Sequence, residues 1–324
     1  MAVCWVFEGT REGRVLDDLN SISDVLRDEG AFIWYDVIDP EAADLALIQE
    51  EFGLHPLAIE DAIKAHERPK IEAYGDYWFL VVKGVTQALK SINVHEVSIF
   101  AGAKFIVSVR SKPAYPLEEI QKRWHNQRDG WRVDSGALLY EILDTIVDGY
   151  TPVSEFYERE VEELETDLLG AREPTNRVLL DIFQMRKDVL RFRRAVVPMR
   201  EVLTPIIRGD IKLFEADEIP YYRDVYDHTV HVIEQLDAAR DLVQSAIDIQ
   251  ISISTNRQNE VAKQLTIIAT IFLPLTFLTG FFGQNFGFLT ERITSEAAFW
   301  WLGIGLEILA FGVLLMYFRF KRWF

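Results

Sequence analysis

The sequence predicts an α/β N-terminal domain, then a long α-helical stalk, then two C-terminal transmembrane helices. Three observations carry that expectation. Residues 1–133 alternate short aromatic and β-branched runs with runs of helical spacing; residues 134–263 carry long amphipathic patterns; and residues 264–324 hold two apolar runs of membrane-spanning length.

In the first region Phe32 to Val37 (FIWYDV), Tyr77 to Val85 (YWFLVVKGV), Val94 to Phe100 and Lys104 to Val109 read as strands. The N-terminal run Met1 to Phe7 reads as a further strand, since it lacks the basic start and long apolar core of a secretory signal. Pro40 to Phe52 and Pro56 to Lys64 have helical spacing, with Asp39 and His55 ahead of prolines suited to a first turn. From Asp134 the pattern predicts helices over Ser135 to Leu169, Asn176 to Leu203, and Tyr221 onward. Gly170 and Pro174 separate the first two, Pro205, Gly209 and Pro220 separate the second from the third, and Pro152 should kink or interrupt the first. No helix breaker of that strength lies between Tyr221 and the membrane. At about 1.5 Å per residue, Tyr221 to Phe282 spans on the order of 90 Å, too long to be buried in one small domain.

The membrane segments follow from charge. Gln264 to Thr290 contains no charged residue, and Leu265 to Phe282 is its apolar part; Ala297 to Phe318 is the second run and holds one charge, Glu307. A short loop joins them, so they form an antiparallel hairpin. Arg319, Lys321 and Arg322 crowd the end of the second run, whereas the loop sets Arg292 against Glu291 and Glu296, which places the C-terminus and hence the N-terminal domain in the cytoplasm. Phe299, Trp300 and Trp301 at one end, and Tyr317 and Trp323 at the other, suit the interfaces of an inner or plasma membrane.

Composition narrows the function. The 324 residues include 51 acidic and 34 basic side chains, a net charge of −17, which argues against nucleic-acid binding and favours a surface that concentrates cations. Cys4 is the single cysteine, so no intramolecular disulfide or cysteine zinc cluster can form.

Stepping along the third helix by alternating threes and fours, the spacing that keeps one seam toward a partner, gives Asp224, Asp227, His231, Glu234, Ala238, Asp241, Ser245, Asp248, Ser252, Thr255, Asn259, Ala262, Thr266, Ala269, Leu273, Thr276, Gly280 and Gly283. The seam is polar or small almost throughout. An ordinary coiled coil would make it apolar, and a lipid-facing seam has no reason to avoid bulky side chains. Close helix packing through small residues accounts for Ala269 and Gly280 as well, but poorly for Asn259 and the acidic half. A polar stripe running from the cytoplasm through the bilayer is what a central pore lined by symmetry-related helices requires. Its carboxylate, hydroxyl and amide oxygens suit hydrated hard cations such as Mg²⁺ better than Zn²⁺, for which His231 is the seam's only nitrogen ligand. Leu273 is the one bulky seam residue and a candidate hydrophobic gate.

The stretch Pro274 to Phe286 (PLTFLTGFFGQNF) resembles the signature of the CorA family of magnesium and cobalt channels, whose hallmark is Gly-Met-Asn directly after the first span. Tyr222 to His228 (YRDVYDH), Leu265 to Thr270 (LTIIAT) and Phe52 to Asp61 (FGLHPLAIED) resemble further family segments in the family's order. The resemblance implies a funnel-shaped homopentamer in the lipid bilayer, a stalk helix that becomes the pore-lining first span, and an outer ring of second spans. It implies that Gly283, Gln284 and Asn285 form the periplasmic mouth and selectivity loop, and that Asn259, Leu273 and Gly280 line the pore. It matches Asp224 to an acidic interface residue that in some members binds regulatory magnesium; Asp227 and His231, with His228 beside them, are candidate contributors, a solvated helix face being the duller reading. Three positions depart from the pattern. Gln284 replaces the usual Met, as happens among relatives such as the ZntB zinc transporters; Ala262 stands at an often bulky pore position; and Val85 to Val94 (VTQALKSINV), where a neighbouring subunit would supply the acidic partner of Asp224, has no carboxylate.

The expected function is therefore a Mg²⁺ channel, also admitting Co²⁺ or Ni²⁺, with divalent cations as cargo or regulator and no cofactor. A proton-coupled Zn²⁺ transporter, with Glu307 as proton carrier, and a non-conducting membrane cation sensor or scaffold are the alternatives. The duller reading of Glu307 is a carboxyl packed and hydrogen-bonded against a neighbour. His55 and His66, near Glu60 and Asp61, match no zinc spacing and are read as capping or surface residues, and Gly283 and Gly287 supply backbone freedom after a helix end. No nucleophile and base pair or phosphate-binding glycine loop supports an enzyme.

Overall fold

A computed structural model of the chain describes residues 2–28, 30–64, 67–89, 91–126, 132–170, 176–211, 213, 217–292, 295–321 and 323. The strands are β1 (Ala2–Glu8), β2 (Arg14–Val15), β3 (Ala31–Ile38), β4 (Lys70–Tyr74), β5 (Tyr77–Ala88), β6 (Ser91–Gly102) and β7 (Phe105–Arg110). The helices are α1 (Ile22–Leu26), α2 (Ala42–Phe52), α3 (Pro56–Lys64), α4 (Glu118–Asn126), α5 (Ser135–Asp148), α6 (Tyr150–Gly170), α7 (Asn176–Val196), α8 (Met199–Ile207), α9 (Ile219–Phe282), α10 (Gly287–Arg292), α11 (Glu296–Ala298) and α12 (Leu306–Phe320). Two compact units result, residues 1–247 and 248–324.

One seven-stranded sheet, in the order β2-β1-β3-β7-β6-β5-β4, organises the first unit; only β3 and β7 run parallel. Side chains alternate across it, and both faces are covered, so β3 reads as an almost unbroken apolar run. Cys4, Ile33, Tyr35, Val37, Phe79 and Val107 pack on one face with Ile48, Phe52, Ala58 and Ile59 of α2 and α3. Phe7, Phe32, Trp34, Leu80, Val82, Val97, Ile99 and Ile106 pack on the other with α4 to α9. Burial of Cys4 pushes its thiol up to about 12, so the lone cysteine is inert at neutral pH.

Several boundaries differ from the sequence expectation, each for a physical reason. The helix expected over Ser135 to Leu169 is two, α5 and α6, broken at Gly149, with Pro152 placed harmlessly in the first turn of α6. The run Asn176 to Leu203 is also two: Pro198 has no N–H to donate, and α8 starts after it. Asp39 caps no helix; it has a left-handed φ of 49° and its Oδ1 accepts the Lys112 N–H over 2.8 Å, while Glu41 and Asp44 form a capping box for α2. His55 does cap α3, its Nδ1 accepting the Leu57 N–H at 3.2 Å. His66 lies outside the described residues.

In the second unit, α9 and the run Glu296–Phe320 are long and apolar enough to cross a membrane. Leu265, Ile268, Phe272, Phe277, Trp301, Ile308, Leu309 and Met316 are all exposed in the chain, an apolar surface that water would not tolerate and a bilayer would cover. Phe299–Gly305 forms a π-helical stretch that leads into α12.

Where β3 and β7 pair, the sheet buries an ion pair. Arg110 Nε donates to Asp36 Oδ1 at 3.0 Å, its Nη2 reaches Asp36 Oδ2, and Ser108 Oγ donates to Asp36 Oδ1 at 2.6 Å. Arg110→Met strands the Asp36 carboxylate in the core. That costs about 3–5 kcal/mol, and the thermal melt of the purified full chain should fall by on the order of 10 °C. A melt unchanged within error contradicts this reading of the pair.

Candidate functional site

Below the membrane α9 has two distinct faces. Tyr222, Val225, Thr229, Val232, Leu236, Ala239, Val243 and Ala246 are buried against their own domain. Tyr222 Oη donates to the Gly136 carbonyl over 3.0 Å, Ser154 Oγ donates to Gln235 Oε1 over 2.8 Å, and Arg193 Nε donates to Asp237 Oδ1 over 2.8 Å, fixing the rotation of the helix. The other face carries the polar seam. Asp224, Asp227, His231, Glu234, Ala238, Asp241, Ser245 and Asp248 are all exposed.

Along residues 248–282 most side chains are exposed, Gln250 and Ile267 being the buried ones, so composition rather than burial separates the faces. Ser252, Thr255, Asn259, Ala262, Thr266, Ala269, Leu273, Thr276 and Gly280 are exposed seam positions, and the bulky Ile268, Phe272 and Phe277 lie beside them. Two of the hydroxyls are oriented by the helix itself. Thr255 Oγ1 donates to the Ile251 carbonyl at 2.9 Å and Thr266 Oγ1 to the Ala262 carbonyl at 2.8 Å. With the hydrogen spent on the backbone, each presents oxygen lone pairs outward, the right sign for a cation or the water it carries. Leu273 is the most exposed seam side chain of size, at 76%.

The helix ends at Gly283, whose N–H donates to the Thr279 carbonyl at 2.9 Å. Gly283 and Gly287 are not among the glycines of left-handed φ, so backbone freedom is not their role. Close approach is what Gly283 provides, because a Cβ there would lie 3.0 Å from the Thr279 carbonyl oxygen. Gln284 and Asn285 then line a cavity of about 220 Å³ with Phe282, Leu289, Thr290 and Leu302.

Asp224 lies at the end of a chain of side-chain contacts that the sequence did not reveal. Its Oδ2 is 4.0 Å from His228 Nε2, and His228 Nδ1 is 3.8 Å from Asp148 Oδ1. Arg123 Nη1 in turn reaches Asp148 at 2.7 Å and Asp144 at 3.3 Å. The structure does not draw Asp227 and His231 into this group, and no cluster of three or more metal-ligating side chains forms among the described residues. The acidic spacing Glu141, Asp144, Asp148 along α5 was a usable signal, but Arg123 comes from a different helix. Burial, helped by Asp144, raises the Glu141 carboxyl from the usual 4.5 to about 7; burial and then Asp148 raise Asp144 to about 6.

Comparison with known proteins settles the family. The family described as CorA-like Mg²⁺ transporter protein matches residues 29–322. The chain belongs to the CorA family. A cobalt/magnesium transport protein CorA of Thermotoga maritima is 32% identical over 305 residues, covering 92% of this chain and 85% of that one. A zinc transport protein ZntB of Yersinia enterocolitica is 24% identical over 253 residues, covering 77% of this chain and 76% of its own. The solved CorA magnesium transporter of Methanocaldococcus jannaschii shares the fold at a TM-score of 0.84, with 22% identity and coverage of 100% and 99%. CorA architecture thus accounts for the full length of the chain, from sheet to second apolar helix.

The raised Glu141 pKa has a sign that can be tested. The folded chain binds this proton more tightly than the unfolded one, so the contribution of Glu141 to stability falls as pH rises from about 4.5 through about 7. Glu141→Gln removes that penalty. The variant should be more stable than wild type at pH 8 by roughly 3 kcal/mol, and the difference should close toward pH 5 in thermal melts. A difference independent of pH contradicts the assignment.

Proposed function

We propose that this CorA-family chain is one subunit of a homopentameric channel through which Mg²⁺, and Co²⁺ or Ni²⁺ with it, enters down its electrochemical gradient. The observation that carries the reading is the seam of α9: polar or small from Asp224 to Gly280 except at Leu273, and exposed at every position in the isolated chain. In a bilayer a polar stripe has to face protein or water, and several copies of α9 around one axis give it both. Residues 264–324 then form the transmembrane hairpin, residues 134–263 the stalk and its supporting helices, and residues 1–133 the cytoplasmic α/β domain, with both termini cytoplasmic.

The residues divide the work by chemistry. The acidic lower seam raises the local cation concentration. Asp248, Ser252, Thr255, Asn259 and Thr266 offer oxygen atoms to a cation that keeps much of its water, and Ala262, Ala269, Thr276 and Gly280 leave room for that water. Leu273 supplies the hydrophobic constriction. Gly283, Gln284 and Asn285 form the mouth, where amide oxygens meet the hydrated ion. Asp224 is the candidate interface residue for a regulatory cation. His228 of the same chain lies 4.0 Å from it and links it to Asp148 and, through Asp148, to Arg123.

Proton-coupled Zn²⁺ transport keeps one supporting feature, the non-methionine Gln284. Against it, Glu307 is engaged by Thr279, whose Oγ1 donates to Glu307 Oε1 at 2.9 Å. Ion uptake into proteoliposomes separates the readings. Mg²⁺ and Co²⁺ should enter whether or not a pH gradient is present, and Asn285→Ala should cut the flux at least about tenfold, the loss of a stabilisation of about 1.4 kcal/mol. Zn²⁺ uptake that follows the proton gradient would establish the transporter, and absence of any flux from folded protein would leave a cation sensor.

A further inference from the structure

Among the described residues one polar contact joins the two apolar helices, and both are irregular around it. Thr279 Oγ1 donates to Glu307 Oε1 at 2.9 Å and also lies 2.8 Å from the Leu275 carbonyl oxygen of its own helix. In hydrocarbon neither side chain has water as an alternative partner, so the pair holds the helices in one mutual rotation. Thr279 is not a seam residue; it directly precedes Gly280 and lies one turn above Leu275. Pro274, just below that turn, has no N–H, so α9 lacks one backbone hydrogen bond there and the segment above it is free to settle at a different rotation from the segment below.

The second helix carries a matching device. Its π-helical stretch, Phe299–Gly305, ends two residues before Glu307. A π turn accommodates an extra residue and re-aims every side chain that follows it. An unbroken α-helix from Glu296 would direct the Glu307 carboxyl elsewhere on the cylinder, and the π stretch is what brings it round to Thr279. A half-exposed ionisable group within an apolar run, a non-α turn and an interior proline converge on one interhelical hydrogen bond.

We infer that Thr279 and Glu307 form a rotational lock in which the outer helix positions the upper part of the pore helix, so that Thr276 and Gly280, and not Phe277 and Phe281, face the ion path. Glu307 is then a positioning residue that carries no proton across the membrane. The inference rests on the channel reading of α9 and adds what sets the orientation of its last two turns. Glutamine can both donate and accept in this position, as serine can in place of Thr279, whereas Glu307→Leu and Thr279→Val cannot.

The test uses the full chain with Cys4→Ser, purified and reconstituted. A membrane-impermeant maleimide should label Thr276→Cys and spare Phe277→Cys. Adding Glu307→Leu or Thr279→Val should reverse or erase that preference while the oligomer persists, and on the native seam each should lower Mg²⁺ flux at least tenfold. Glu307→Gln and Thr279→Ser should keep both the labelling pattern and the flux. Unchanged labelling and flux in Glu307→Leu and Thr279→Val overturns the lock, and so does a Glu307→Gln that fails as completely as Glu307→Leu, since the charge would then be what matters. If the wild type passes no ion, the channel reading fails by itself, and the labelling preference and its dependence on Glu307 still decide the lock.

Discussion

Everything in this chain depends on a helix with two incompatible faces. One face of α9, from Tyr222 to Ala246, is apolar and is buried by its own domain. The opposite face is polar or small apart from Leu273, and it is exposed among the described residues. Farther along, the same helix enters a segment without charge whose remaining surface is fit only for lipid. In a bilayer the seam hydroxyls of Thr266 and Thr276 sit better against protein or water than against hydrocarbon. In the proposed oligomer, copies of the helix around a water-filled axis give the seam both.

The α/β domain serves that helix. A sheet covered on both faces is rigid, and its second face is completed by α4 to α9, so the start of α9 belongs to the domain core. Hydrogen bonds from Tyr222 to Gly136, from Ser154 to Gln235 and from Arg193 to Asp237 fix how α9 is rotated, and hence which residues remain for a partner. Near its start the free face carries Asp224, within reach of His228 and, through it, of Asp148 and Arg123.

Much of this was legible in the sequence because it rests on periodicity. The helix Pro56–Lys64 falls where its spacing puts it, the strands at Phe32, Tyr77 and Val94 extend the expected cores by a few residues, and the strand expected from Lys104 to Val109 lies one residue farther along. The seam could be read because a three-and-four step is a property of the chain alone. What escaped needed information that spacing does not hold. Pro198 divides an otherwise continuous helical pattern, β4 (Lys70–Tyr74) is too polar to announce itself and exists because β5 offers an edge, and Asp39 takes a left-handed turn instead of capping α2. The bond between Thr279 and Glu307, like the one between Arg123 and Asp148, joins residues of different helices, and the π-helical turn that makes the first possible has no compositional mark.

The account stands on the seam facing an axis shared by identical copies. The measurement that tests this most directly is oxidative cross-linking of single cysteines in a Cys4→Ser chain held in membranes, comparing Ala262→Cys on the seam with Ile268→Cys on the bulky face. The account predicts disulfide-linked dimers for Ala262→Cys and monomers for Ile268→Cys. Cross-links of equal yield at both positions, or at Ile268→Cys alone, would contradict it.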